Sequence, residues 1–288
     1  MFVIIGSLIV TVSVIGGFMI AGGKVGALWQ FSEFVVIGGA AFGGMVTMAP
    51  KKVLIDLFKK MLLTLKGAPF SRVAYEELLK ALYELFLIGR RNGMIALEEH
   101  VSNPESSSIF SKYPTFLKNH HAVEFLCGGL KPIIDGKIKP DQLKVLLETE
   151  MAKAEEEDHA PIMVLNKTSD AMPGFGIVAA VLGIIITMAS IGGPPDEIGH
   201  HVAAALVGTF LGILISYGFL GPLATNIELL CHAHHAYNKA IALAVVGFAN
   251  GMAPIMAVEV ARRGLDSDVK PTADELEAMT KGVSVPAK

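Results

Sequence analysis

Charge is absent from this sequence where it is most apolar. Two runs between Ala171 and Pro222, AMPGFGIVAAVLGIIITMASIGG and VAAALVGTFLGILISYGFLGP, contain no Asp, Glu, Lys or Arg, and a PPDEIGHH loop joins them. Only 18% of the 288 residues are charged against 52% hydrophobic, and the mean hydropathy is +0.54. That balance excludes an ordinary soluble domain and indicates a membrane protein with sizeable aqueous parts. Cysteine is scarce too. Cys127 and Cys231 lie outside the apolar runs with no CxxC or ligand spacing, which points to free cytosolic thiols rather than a disulfide framework. No basic cluster accompanies the net charge of −3, so nucleic acid is not an expected partner. Motifs for nucleophilic catalysis, phosphate binding and metalloprotease chemistry are missing, and the glycines sit in apolar stretches rather than strand–loop–helix settings. Neither an enzyme nor a cofactor is expected.

What is present is helix of membrane length. Each of the two uncharged runs is about 20 residues, roughly 30 Å as α-helix, the thickness of a bilayer's hydrocarbon core. Met1–Ile20 is apolar from the start and lacks the basic n-region of a signal peptide, so it reads as a retained span. After the Ala21–Ser32 loop a shorter run, Phe34–Ala49, carries Gly38, Gly39, Gly43 and Gly44. Its small residues suit a buried or tilted membrane helix better than a lipid-facing one. Lys51, Lys52, Lys59, Lys60 and Lys66 follow it, while the Ala21–Ser32 loop has one basic residue and the Gly192–His201 loop has no Lys or Arg. The positive-inside rule therefore places both termini and the long central segment in the cytoplasm. The expected fold is all-α, with four transmembrane helices and a helical cytoplasmic domain. Residues 1–49 hold the first pair of spans, 50–170 the cytoplasmic domain, 171–222 the second pair, and 223–288 a cytoplasmic extension with a polar tail.

In the central segment VLIDLFKKMLLTL and YEELLKALYELFLIGRR place apolar residues three and four apart, the helical period. Gly93 and NPESSS break the pattern, and DQLKVLLETEMAKAEEEDH resumes an acidic helix up to Pro161, with Glu155–Asp158 as a solvated face. Beyond Pro222, NIELLCHAHHAYNKAIALAVVGFANG continues as helix. His232, His234 and His235 form a polar face there, and without an HExxH pattern no metal site is expected. Thr272 and Glu275 make a capping-box pattern for one short helix in the tail.

Small residues dominate the uncharged pair: Gly174, Gly176, Ala179, Ala180, Gly183 and Thr187 in the first run, and Gly208, Thr209, Gly212 and Ser216 in the second. Gly208, Gly212 and Ser216 fall on one line, which serves either helix packing within a bundle or a smooth wall for another helix. An ion path through lipid normally needs an ionisable group at depth. These spans supply only Glu33, at the mouth of the second, so a carrier carboxylate would come from a partner.

IGRRNGMIALEEHV, MPGFGIVAAVLG, VAAALVGTFLGILISYGFLGPLA and NGMAPIMAVEVARRGL, together with the opening IIGSLIVTVSVIGGFMIAGGKVGAL, closely resemble the flagellar stator proteins of the MotA/TolQ/ExbB proton channel family. The resemblance runs over nearly the whole chain to about Asp266. It implies a bacterial inner-membrane protein in contact with lipid, assembled as a homo-oligomeric ring, a pentamer, around a MotB dimer. Each MotB brings one membrane aspartate, ion flow turns the ring, and the cytoplasmic lobes push the rotor protein FliG. By motif, Arg90 and Glu98 would face the rotor, Pro173 and Pro222 would couple ion flow to motion, and Thr209 would sit beside the partner's aspartate. As residues alone, Pro173 is also readable as a helix start, Pro222 as a helix stop, and Arg90 and Glu98 as surface charges. Arg91 and Glu99 are adjacent charges with no assigned role.

Sodium-driven relatives resemble GxxGTLVG in the third span, with threonines where this chain has Ala180 and Gly208. A dehydrated sodium ion wants several oxygen ligands and a proton only the carboxylate, so protons are expected. Two other readings stand beside the stator: an ExbB/TolQ-like energy-coupling subunit, whose family has three spans and an outward N-terminus, and a metal-dependent intramembrane hydrolase using His232, His234 and His235.

Overall fold

A computed structural model describes residues 2–66 and 70–283. Among the described residues there is helix, turn and loop but no strand. Four stretches are long and apolar enough to cross a membrane: Phe2–Ile20, Val25–Met48, and parts of Pro140–Ala189 and Pro195–Ala249. The chain divides into two compact units, each discontinuous in sequence: 1–67 with 157–230, and 68–156 with 231–288.

The first unit contains α1 (Phe2–Ile20), α2 (Phe31–Met48) and α3 (Lys51–Lys66). A 3₁₀ turn, Val25–Leu28, lies between α1 and α2. No residue of α1 is buried within the chain. Of α2, expected as a buried or tilted membrane helix, little is buried within this chain. Only Glu33, Ile37 and Ala41, one stripe at helical spacing, are buried, and Gly38, Gly39 and Gly43 face open space. Small residues at these positions leave room for another chain rather than filling a seam of this one.

Two longer helices complete the unit in part. The expected stop of the acidic helix at Pro161 is overturned: α8 (Pro140–Ala189) runs 50 residues straight through Pro161 and Pro173. A helix tolerates an internal proline where packing holds the chain and another donor satisfies the freed carbonyl. α9 (Pro195–Ile215) follows, opening with Asp196 and Glu197 in its first turn, where the helix dipole favours negative charge. It passes through a π-helical turn, Ser216–Leu220, into α10 (Gly221–Ala249), so Pro222 is not a helix stop. Within this continuous helix its missing N–H leaves one upstream carbonyl without a helical donor, next to the π turn that widens the winding. Acidic Glu157 and Asp158 are more than a solvated face, since they pair with Lys52 (3.1 Å) and Lys60 (2.5 Å) of α3.

The second unit is built from α4 (Arg72–Asn92), α5 (Glu98–Ser102), α6 (Pro114–Leu117), α7 (His120–Ile134), the 231–249 part of α10, α11 (Pro254–Arg263) and α12 (Ala273–Lys281). Its core is large side chains: Leu78, Leu79, Leu82, Leu85, Phe86, Phe110, Phe116 and Tyr237 are each almost fully buried. Phe86 stacks on Phe248 with ring centroids 4.4 Å apart. Ser71 caps α4, Gly93 ends it at φ +86°, and Glu77 caps α6 by accepting from the backbone N–H of Thr115 (2.7 Å) and Phe116 (3.1 Å). The capping box of α12 forms as its sequence indicates, with Thr272 and Glu275 bonded reciprocally.

Several buried polar groups inside this unit are paired, although the Asn238 Oδ1 is buried without a hydrogen-bond partner. Buried Glu84 accepts from Lys112 and, at 2.9 Å, from the Tyr113 hydroxyl, and burial together with that carboxylate pushes the phenol well up. Glu259 binds both Arg262 and Arg263, which hold its carboxyl down at about 2 against the burial that opposes them. Burial pushes the Cys127 thiol up to about 11, leaving it an inert packing group.

Candidate functional site: the glycine seam between α8 and α9

The uncharged parts of α8 and α9 meet backbone to backbone. A Cβ on Gly176 would stand 2.8 Å from the Gly208 carbonyl oxygen and 3.3 Å from the Cα of Thr209. One on Gly212 would stand 2.6 Å from the Met172 carbonyl and 3.0 Å from the Cα of Gly176. Gly183 meets Ala205 in the same way, 2.9 Å from its Cβ. Gly176 and Gly212 are therefore helix-packing positions inside this chain, and the line from Gly208 to Ser216 is consumed by its own hairpin rather than left as an outer wall. Association in lipid gains little from bulk apolar area, so close approach of this kind is what small residues allow.

At the end of the seam where α9 passes into α10, two serines lock the helices. Proline has no N–H, so the carbonyl four residues before Pro173, that of Ser169, has no intrahelical donor. Ser216 Oγ donates to that carbonyl at 2.7 Å, and Ser169 Oγ donates to the Ser216 carbonyl at 3.2 Å. Both serines are buried. Ser216 also opens the π turn, whose wider winding lets the Gly221 N–H bond back to the same Ser216 carbonyl just before Pro222. The two prolines thus flank one reciprocal pair: Pro173 exposes the carbonyl and the turn before Pro222 presents the hydroxyl. The residue pattern offered a clue, a serine four places before an intramembrane proline, but its partner 47 residues later became visible only in the fold.

Thr209 sits half-buried on α9 beside Gly176. Threonines in apolar helices usually return their hydroxyl to the carbonyl four residues back, and Thr11, Thr47, Thr168, Thr187 and Thr225 do so here. Among the described residues Thr209 alone of the threonines has no hydrogen-bond partner for its hydroxyl. Ala180 is half-buried, and its backbone N would lie 3.4 Å from a Cβ on Gly208. Thr209 and Ala180 therefore fall at one level of the seam, with Gly208 between them.

Arg90 and Glu98 belong to the other unit. Leu97, fully buried, packs on Gly89 and folds the 3₁₀ turn Met94–Leu97 back onto the end of α4. Arg90, Arg91, Glu98 and Glu99 remain exposed, and neither Arg90 nor Glu98 has an ion-pair partner among the described residues. His232 is exposed, whereas His234 lies edge-on to Phe70, His121 and His235. Among the described residues no three His, Cys, Asp or Glu side chains converge as a metal ion requires.

Residues 4–93 match the Motility protein A N-terminal family, and residues 117–233 match the MotA/TolQ/ExbB proton channel family. Motility protein A of Salmonella typhimurium is 35% identical over 286 residues, covering 99% of this chain and 97% of its own. The chain belongs to the motility protein A family. Chemotaxis protein LafT of Vibrio parahaemolyticus is 37% identical over 273 residues, with 95% and 96% coverage. The fold matches a chain of the C. jejuni MotAB structure with a TM-score of 0.77 at 22% identity, over 92% of this chain and 96% of that one. These are motility and chemotaxis proteins rather than enzymes. Membership of a proton-channel family gives the uncharged seam its context: the motility protein A chain is embedded in the inner membrane and serves ion-driven motility.

Proposed function

We propose that this chain is the ring-forming subunit of a proton-driven flagellar stator, five copies surrounding a MotB dimer and turning against FliG. One observation carries the reading beyond family membership: the uncharged seam presents Thr209, the one threonine among the described residues whose hydroxyl has no partner, as a carrier carboxylate from another chain would need. A carboxylate resting beside Thr209 against the apolar faces of these helices takes a proton from the acidic side, crosses the apolar surface neutral, and releases the proton on rehydration. The membrane potential supplies about 2.3 kcal/mol per charge per 100 mV to each passage. The open faces of α1 and α2 contact neighbouring copies and lipid, and the lysines around Pro50 hold both termini and the 68–156 and 231–288 regions in the cytoplasm. There exposed Arg90 and Glu98 meet the rotor, and the Ser169–Ser216 pair between Pro173 and Pro222 is the joint that ion passage works on. Ala180 and Gly208, where a threonine pair would supply sodium ligands, favour protons.

The test is complementation of a motility strain lacking its stators by this chain with its MotB. Swimming that persists in sodium-free medium is expected, and dependence on sodium concentration would reverse the ion assignment. Reversing Arg90 and Glu98 together should reduce motility while the membrane complex still purifies intact. Loss of the complex instead would make those residues structural.

A further inference from the structure

Among the described residues Glu33 is the one carboxyl with a buried oxygen that lacks a hydrogen-bond partner. It stands in the first turn of α2, only 5% exposed. Its Oε1 accepts a long 3.5 Å bond from Ser32, and its Oε2 is buried with no hydrogen-bond partner. That oxygen points into the α8–α9 seam: a Cβ on Gly208 would stand 2.6 Å from it, with the Ala179 Cβ at 3.1 Å and the Ala180 N at 3.4 Å from the same point. Gly208 is thus the space that the carboxyl fills. The packed segments, residues 179–180 of α8 and 204–208 of α9, contain no titratable side chain. The nearest on α9 are His201 and His200, seven and eight residues before Gly208 and so roughly 10 Å along the axis. Lys24 lies nine residues before Glu33, beyond the Val25–Leu28 turn. A carboxylate buried without a donor is unfavourable, and a proton on Oε2 or an incoming donor removes the deficit.

We propose that Glu33 is a proton-binding site contributed by this chain to the ion path, at the level of Thr209. The proposal rests on the stator reading above. A hydronium on the outer side gives its proton to Oε2, leaving water. The O–H bond on Oε2 then breaks as a new one forms on the partner's carboxylate, and Glu33 is recharged from the outer side. Thr209 follows Gly208 roughly 100° round the helix, so carrier and Glu33 address adjacent faces of α9 at one depth.

Infrared titration of the purified complex of this chain with its MotB tests the binding itself. A protonated-carboxyl C=O band additional to that of the MotB aspartate should be present in wild type, disappear in Glu33→Gln, and shift in Gly208→Ala, where the new methyl displaces the carboxyl. Its absence from wild type, or its persistence in Glu33→Gln, overturns the proposal. Proton flux in vesicles containing the complex should fall about tenfold in Glu33→Gln and recover partly in Glu33→Asp. Wild-type flux in Glu33→Gln overturns the relay even if the band is lost. Should Glu33→Gln fail to assemble, Gly208→Ala retains the carboxyl but moves it, and wild-type flux there is equally fatal. If the wild-type complex carries no proton flux at all, the stator reading falls, whereas a missing band in a conducting complex removes only the role of Glu33.

Discussion

The two units of this molecule are both helical, yet they are held together by opposite means. The unit built on α4 and α10 buries Phe86, Phe110, Phe116 and Tyr237 with a bed of leucines, because in water each large apolar side chain withdrawn from solvent contributes about 1.5–3 kcal/mol. In the α8–α9 seam the contact atoms are glycine Cα, carbonyl oxygens and one pair of serines. Lipid removes the hydrophobic advantage of bulk, so close approach and buried hydrogen bonds are what remain. The lesson is that the same substitution type should have opposite consequences in the two places: truncation damages the first, enlargement the second.

The largest effect expected is therefore in the water-facing core. Phe86→Ala removes a ring stacked on Phe248 and should cost about 3–5 kcal/mol. Hydrogen exchange should rise sharply in α4 and in 237–249 of α10 while α9 is unchanged. Gly212→Ala comes next, since its Cβ would press on the Met172 carbonyl and the Gly176 backbone, which have no free rotor to yield. A loss of about 1–3 kcal/mol is expected, read by unfolding in mixed detergent micelles. Equal stability would show the seam to be looser than its glycines imply. Ser216→Ala leaves the Ser169 carbonyl without its donor and should cost about 1–2 kcal/mol. Ser216→Thr, which restores a hydroxyl, should recover part of it if the hydrogen bond is the cause.

Acidification should separate the two regions more gently. Glu259 is held down at about 2 by Arg262 and Arg263 against an ordinary value of 4.5, so its contribution is present above about pH 4.5 and fades as pH falls toward 2. His100, buried beside Ser107 at 2.9 Å, has its pKa lowered by burial from the ordinary 6.5. The unfolded chain then binds a proton that the folded unit resists, so stability also drops as pH falls below about 6.5. Circular dichroism of the 68–156 and 231–288 region within the full chain should lose stability in both windows, and Glu259→Gln should abolish the lower one.

Much of the architecture was legible from residue order. Run length marked the membrane spans, Gly93 marked the end of α4, and Thr272 with Glu275 marked α12, because each is a local rule with a local partner. Pro161 and Pro173 misled as helix boundaries. A proline forbids one backbone hydrogen bond, but whether that breaks the helix depends on what replaces it. For Pro173 the replacement is Ser216, 43 residues away. The open glycines of α2 were ambiguous for a related reason: smallness signals close contact without saying with whom. Arg90 and Glu98 stood out by resemblance and remain exposed, whereas Glu33 appeared in sequence only as a residue at a helix mouth.

What the amino-acid order determined is the set of helices that must leave water and the absence of any charge in the last two, since transfer free energy depends on composition alone. What only the tertiary structure decided is pairing: Gly212 against Met172, Ser216 on the carbonyl that Pro173 sets free, and a carboxyl lodged where Gly208 has no side chain. Such contacts depend on distances of a few tenths of an ångström between segments far apart in the chain, and no one-dimensional pattern encodes those.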